Sequence, residues 1–156
     1  MAGIGFHTDA FNSYFWSFEQ SLDWAAEHGM DFIECGMIDG TAYIQALGYF
    51  PHISLLEDPL LWRKKMDQKG VHFSQVDAAY PLSRKDGLTI GVEYINKVIR
   101  WAKLIGCPCV DTTDNKTLPE GMTDKEGLEV LRMAYGEILQ VAEAHKIVIN
   151  VEPHGY

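Results

Sequence analysis

IVINVEPHGY, residues 147–156, is a short apolar run that stops abruptly at Glu152-Pro153-His154-Gly155. It follows a long helical pattern, and its β-branched residues end in a carboxylate and an imidazole. That is the signature of a buried parallel strand carrying polar side chains to its C-terminal end. Strand alternation then places Val148, Asn150 and Glu152 on one face and Ile147, Ile149 and Val151 on the other.

Upstream, the same strand-after-helix unit recurs. Residues 3–7, Gly-Ile-Gly-Phe-His, form a first strand candidate, followed by an aromatic loop through Tyr14, Phe15 and Trp16. Ser17 with Gln20 makes a capping box for a helix bearing Phe18, Leu22, Trp24 and Ala25, closed by Gly29. Residues 31–35, DFIEC, are a second strand, and 36–57 read as one long loop. Asp58-Pro59 starts a helix that runs to Gly70, and 71–76 are strand three. From Gly87, the residues Ile90, Tyr94, Ile95, Val98, Ile99, Ala102 and Ile105 keep a 3.6-residue period as far as Gly106. Residues 107–113 are strand four. Thr123 with Glu126 caps a helix reaching Lys146, and the run from Ile147 is strand five.

The order βαβαβαβαβ predicts an α/β fold of parallel strands joined by right-handed crossovers. A doubly wound open sheet and a TIM (β/α)8 barrel both have this pattern. No glycine-rich turn opens a helix after strand one, because Gly3 and Gly5 lie within the strand, and this weakens the dinucleotide reading. His7, Glu34, Asp77, Asp111 and Glu152 each sit at or just past a strand's C-terminal end, where a barrel assembles its site from successive loops. A closed barrel takes about 250 residues, whereas the chain has 156. The expectation is one partial domain over residues 1–156, a truncated barrel with about the first five strands and four helices. Being a fragment of a longer protein, joining a second polypeptide, or forming a homo-oligomer would each cover its open edges.

A net charge of -9 and a pI near 5.0 disfavour nucleic acid as a partner. Cys35, Cys107 and Cys109 show no disulfide or zinc spacing and suit reduced thiols. With neither a signal-like N-terminus nor an apolar run near 18 residues, the sequence predicts no membrane association and a cytoplasmic location.

Four segments carry a family resemblance. They are Gly3-Ile-Gly-Phe-His7, Glu27-His28-Gly29 before Asp31-Phe-Ile-Glu34, Ile99-Arg-Trp-Ala-Lys-Leu-Ile-Gly106, and Asn150-Val-Glu-Pro153. In this order the chain resembles the xylose isomerase-like TIM-barrel superfamily of sugar isomerases and epimerases, over nearly all its length. The resemblance implies a divalent metal (Mn2+, Mg2+, Co2+ or Zn2+) at the barrel mouth. Glu152 matches the glutamate that ends strand five, which serves both as ligand and in moving a proton beside a carbonyl. The other ligands would lie beyond Tyr156.

The metal chemistry needs hard oxygen donors around an ion that polarises a hydroxyl and a carbonyl of a sugar or polyol substrate, stabilising an enediolate. The same enediolate could eliminate a β-substituent, which would make a lyase or dehydratase. A non-catalytic carbohydrate-binding partial barrel is a further reading. His7 and Glu34 are candidates to bind substrate, or else satisfy buried hydrogen bonds. Trp16, with Tyr14, Phe15, Tyr43 and Tyr49, could pack on a sugar ring or simply anchor loops. His154 could orient substrate, while Asp77 and Asp111 are weaker candidates. His28, His72 and His145 lie away from the expected mouth and read as structural.

Overall fold

The computed structural model describes residues 3–40, 50–84, 86–113 and 118–153. Its strands are β1 (Gly5–His7), β2 (Phe32–Glu34), β3 (Gly36–Ile38), β4 (His52–Ser54), β5 (His72–Phe73), β6 (Val76–Asp77), β7 (Cys109–Thr113) and β8 (Val148–Glu152). The helices are α1 (Phe18–Glu27), α2 (Pro59–Lys69), α3 (Val92–Ile105) and α4 (Asp124–His145). A 3-10 segment, Thr8–Tyr14, follows β1, and a π turn, Gly87–Gly91, leads into α3.

Every strand pairing is parallel. β2 and β3 are one run interrupted at Cys35, and β5 and β6 are one run interrupted at residues 74 and 75. Merging them, and setting aside the short β4 on the β1-side edge of β3, gives the sheet order β1, β2/β3, β5/β6, β7, β8, the order of the chain itself. A doubly wound sheet reverses direction at a switch point. Here there is no reversal, and helices consecutive in sequence pack side by side. Among the described residues the architecture is therefore a run of five barrel-type βα strands with four intervening helices.

Local chemistry explains the helices. Both expected capping boxes are present, Ser17 with Gln20 and Thr123 with Glu126. Asp58 accepts from the Leu60 N–H at 2.8 Å, with Pro59 at the first helical position. Gly106 ends α3 at φ 89°, a left-handed turn that costs glycine least. Because α4 delivers the chain into β8, its cap is worth testing: Thr123→Ala is expected to lower stability by about 1 kcal/mol. Urea unfolding of the two proteins measures it.

Alternation sorts the strands into two faces. Ile33, Cys35, Val76 and Val110 are fully buried beneath the helices, where they meet Leu22, Ala25, Ile95, Val98, Ile99 and Ile138. Ile147 lies in this core and Ile149 packs on it, while Val148 is exposed, as the sequence parity of strand five requires; Val151, expected on the helix side with them, is exposed at the strand's end. The opposite faces of the strands carry His7, Glu34, Asp77, Asp111, Asn150 and Glu152.

The sequence reading needs three corrections. Residues 36–57 are not one loop, since strand two continues through Ile38 and β4 pairs with β3, Gly36 level with His52. β1 ends at His7, so the far half of the second strand has an open edge, and β4 fills it. Strand three is interrupted at Ser74 and Gln75, and its parity resolves with Asp77 level with Asp111. Finally, residues 87–91 form a wider turn rather than the first turn of α3.

Candidate functional site

The parallel register sets a tier of side chains at the C-terminal ends of the strands. His7 is level with Glu34, Asp77 with Asp111, Asp111 with Asn150, and Thr113 with Glu152. These residues are spread over the whole sequence. Only the pairing of strands brings them to one face.

A chain of amides ties the tier together. The Gln75 amide N–H donates to Glu34 Oε1 at 2.7 Å, and the Asn150 amide N–H donates to Gln75 Oε1. Glu34, half-buried, is thereby fixed in orientation, as the hydrogen-bonding alternative for this residue had it. Gln75 was not singled out from sequence. Nothing local marks it, because its partners lie 41 and 75 residues away.

His7 stands between two carboxylates. Its Nδ1 is 2.9 Å from Asp9 Oδ1 and accepts from the Asp9 N–H at 3.1 Å, and its Nε2 is 4.0 Å from Asp77 Oδ2. Asp77 also accepts from the Ala79 N–H at 2.7 Å.

Negative charge is crowded on this face. Burial pushes the Asp111 carboxyl up to about 7 from its ordinary 3.8, with the charges of Asp77, Glu34 and Glu152 adding to the rise and His7 opposing it. Asp77 is raised first by burial, against the Ala79 hydrogen bond and His7, and further by Glu34 and Glu152. Glu34 is raised by burial despite the Gln75 hydrogen bond. Asp77 and Asp111, the weaker candidates among the strand-end residues, gain weight from lying level with each other on this face.

Trp16 lies in an aromatic cluster built on Phe11. It stacks on Phe11 with ring centroids 4.6 Å apart and leans on Tyr14 at 5.7 Å; Phe11 in turn meets Phe6 and Trp24 edge-on. This packing anchors the segment after β1. Two further ties, Thr8 Oγ1 donating to the Pro51 carbonyl at 2.9 Å and the Phe50 N–H donating to Asn12 Oδ1 at 2.8 Å, hold it to the strand β4 side. Tyr14 and Phe15 remain exposed. His154, Tyr43 and Tyr49 lie outside the described residues.

The donor types on this face, carboxylates with one imidazole, are those a hard divalent cation takes. Their spacing does not complete a shell: among the described residues no three His, Cys, Asp or Glu side chains gather around one point. Glu152 is exposed at the end of β8, near enough to raise Asp77 and Asp111. Away from this face, His28 stacks on Trp24 with centroids 4.2 Å apart and bonds the Trp24 carbonyl, and His72 lies 3.8 Å from Asp67. Both fit the structural role expected of them. The three cysteines are free thiols, and among the described residues no helix is long and apolar enough to cross a membrane.

No protein-family profile matches the chain, and no curated protein does. Solved structures match its fold. A zinc-bound IolI protein superposes with a TM-score of 0.73 at 14% identity, over 97% of this chain and 51% of its own. A D-tagatose 3-epimerase-like protein gives 0.71 at 20% identity, over 96% and 52%. A xylose isomerase domain protein from Planctomyces limnophilus gives 0.64 at 13% identity, over 96% and 53%. The fold is that of the xylose isomerase-like barrels, and the chain spans about half the length of the structures it matches.

Proposed function

We propose that residues 1–156 form the first part of a divalent-metal-dependent barrel that isomerises or epimerises a sugar or sugar-like polyol. The observation that carries this reading is the tier of His7, Glu34, Asp77, Asp111 and Glu152 on one face at the C-terminal ends of parallel strands, where such barrels place their chemistry. The folds of an epimerase-like protein and a zinc-bound protein support it.

Glu152 is assigned as one metal ligand, with the remaining ligands coming from the strands that complete a barrel. A divalent ion, when bound, supplies Lewis-acid polarisation of a carbonyl and its neighbouring hydroxyl. The chain's own residues then divide the remaining work. Glu34, held by Gln75, accepts a hydrogen bond from a substrate hydroxyl. His7, its Nδ1 engaged by Asp9 and its Nε2 4.0 Å from Asp77, orients a second one through Nε2. Asp111, titrating near neutrality, can hold or release a proton at its carboxyl oxygen under working conditions. Trp16, with the exposed Tyr14 and Phe15 that precede it, is a candidate to pack on a sugar ring, and His154, two residues after Glu152 in the sequence, is a candidate to orient the same ligand.

Glu152→Gln keeps the shape of the side chain and removes its charge. In the intact protein it is expected to weaken Mn2+ binding by about ten-fold or more, a loss of about 1.4 kcal/mol, and to abolish metal-dependent turnover of a ketose. Titration calorimetry with Mn2+ reads the first effect and a coupled ketose assay the second. Wild-type values for both would sink the assignment.

A further inference from the structure

We propose that Thr113 is a substrate-binding residue, its hydroxyl hydrogen-bonding one hydroxyl of a polyol whose neighbouring oxygen is held at Glu152. The assignment rests on the sugar-and-metal reading of this face and adds a contact to it.

Thr113 is the last residue of β7 and lies level with Glu152 on β8. Counting by two from Asp111 turns its side chain to the same inner face. It is only 6% exposed, and its Oγ1 has no hydrogen-bond partner among the described residues. Buried hydroxyls are paired almost everywhere in folded proteins, because leaving one unpaired forfeits its hydration with no return. An unpaired hydroxyl beside carboxylates at the mouth of a parallel sheet is what a ligand oxygen would satisfy. A hydroxyl group is also the fitting complement, since it can donate and accept at once, as can Thr113. The acidic neighbours favour a neutral polyol oxygen over an anion.

The adjacent residue provides a control. Thr112 is fully buried, its Oγ1 likewise unpaired among the described residues, but alternation turns it toward the helices and away from the carboxylate face. Replacing either hydroxyl by a methyl removes an unpaired polar atom from the interior. Thr112→Val and Thr113→Val are therefore both expected to leave the unliganded protein as stable as wild type, or more so, in urea unfolding.

The two should part company in binding. Using the intact protein, Mn2+ is titrated first, and D-fructose is then titrated into the Mn2+-loaded protein as a probe ketose. Thr113→Val is expected to keep Mn2+ affinity within about two-fold and to lose about ten-fold in fructose affinity, the worth of one good hydrogen bond to a ligand. Thr113→Ser, which restores the hydroxyl, should recover most of it, and Thr112→Val should bind as wild type. Thr113→Ala removes the hydroxyl without adding a methyl and is expected to match the Val variant. Fructose binding undiminished in Thr113→Val and Thr113→Ala overturns the assignment alone. A wild-type protein that takes up neither Mn2+ nor fructose overturns the sugar reading and this assignment together.

Discussion

Asp111→Asn is expected to stabilise the fold at pH 8 by on the order of 2 kcal/mol and to change it little at pH 4. Asp111 is 8% exposed, and its folded-state value near 7 lies well above the ordinary 3.8. Between those two values the folded chain holds a proton that the unfolded chain has released. Stability therefore falls as pH rises from about 4 to about 7, and the penalty is fully present above that window. Asn cannot ionise, so it escapes the penalty at pH 8. At pH 4 the wild-type carboxyl is already neutral, and the two proteins converge. Urea midpoints measured from pH 4 to 8 give the comparison. An Asn variant less stable than wild type at pH 8 would mean that the Asp111 charge is compensated on this face.

Gly87→Ala is expected to cost at least about 3 kcal/mol, through backbone overlap rather than through any lost contact. A Cβ on Gly87 would lie 1.9 Å from the Leu82 carbonyl oxygen and 2.5 Å from its carbon. Main chain cannot step aside as a side-chain tip can. Leu82 is itself fully buried, so the adjustment would spread through the turn that closes on Asp86, whose carboxylate accepts from the Tyr80 hydroxyl at 2.9 Å. Gly136, inside α4, is the opposite case, for a Cβ there would meet nothing within 4 Å. At that position the same change should raise stability by roughly 0.5–1 kcal/mol, the ordinary preference of a helix for Ala. Thermal unfolding of the pair separates the two effects, and similar midpoints would refute the overlap argument.

The helices were legible because their signals are local. Ser17 with Gln20, Asp58 with Pro59, and Thr123 with Glu126 each sit within a few residues of one another, and the apolar period of α3 is carried by the helix alone. Strand five was legible for the same reason, with its parity readable from Ile147 to Glu152. The three-residue β4 was not, because one alternation over His52-Ile53-Ser54 is too short to stand out, and it becomes a strand only because β1 ends early and leaves an edge of β3 to pair with. Gln75 was illegible on similar grounds: a glutamine at a strand interruption becomes meaningful only once Glu34 and Asn150 arrive beside it. The titration of Asp111 depends on which face it takes and which carboxylates share that face. Neither is written in the residues around it.

The amide relay from Asn150 through Gln75 to Glu34 has a mechanical meaning. Gln75 and Asn150 stand on strands two places apart, with β7 between them, and in a flat sheet such strands are separated by about 9.5 Å. Two amide side chains joining across that gap act as a chord, and a chord of fixed length sets the curvature of the arc it spans. The relay thus braces the inner side of the sheet from its fifth strand to its second, as well as aiming one glutamate. Cutting it at Gln75 would let the wall relax outward and change the spacing between the second strand and the fifth, even though no charged group had been altered.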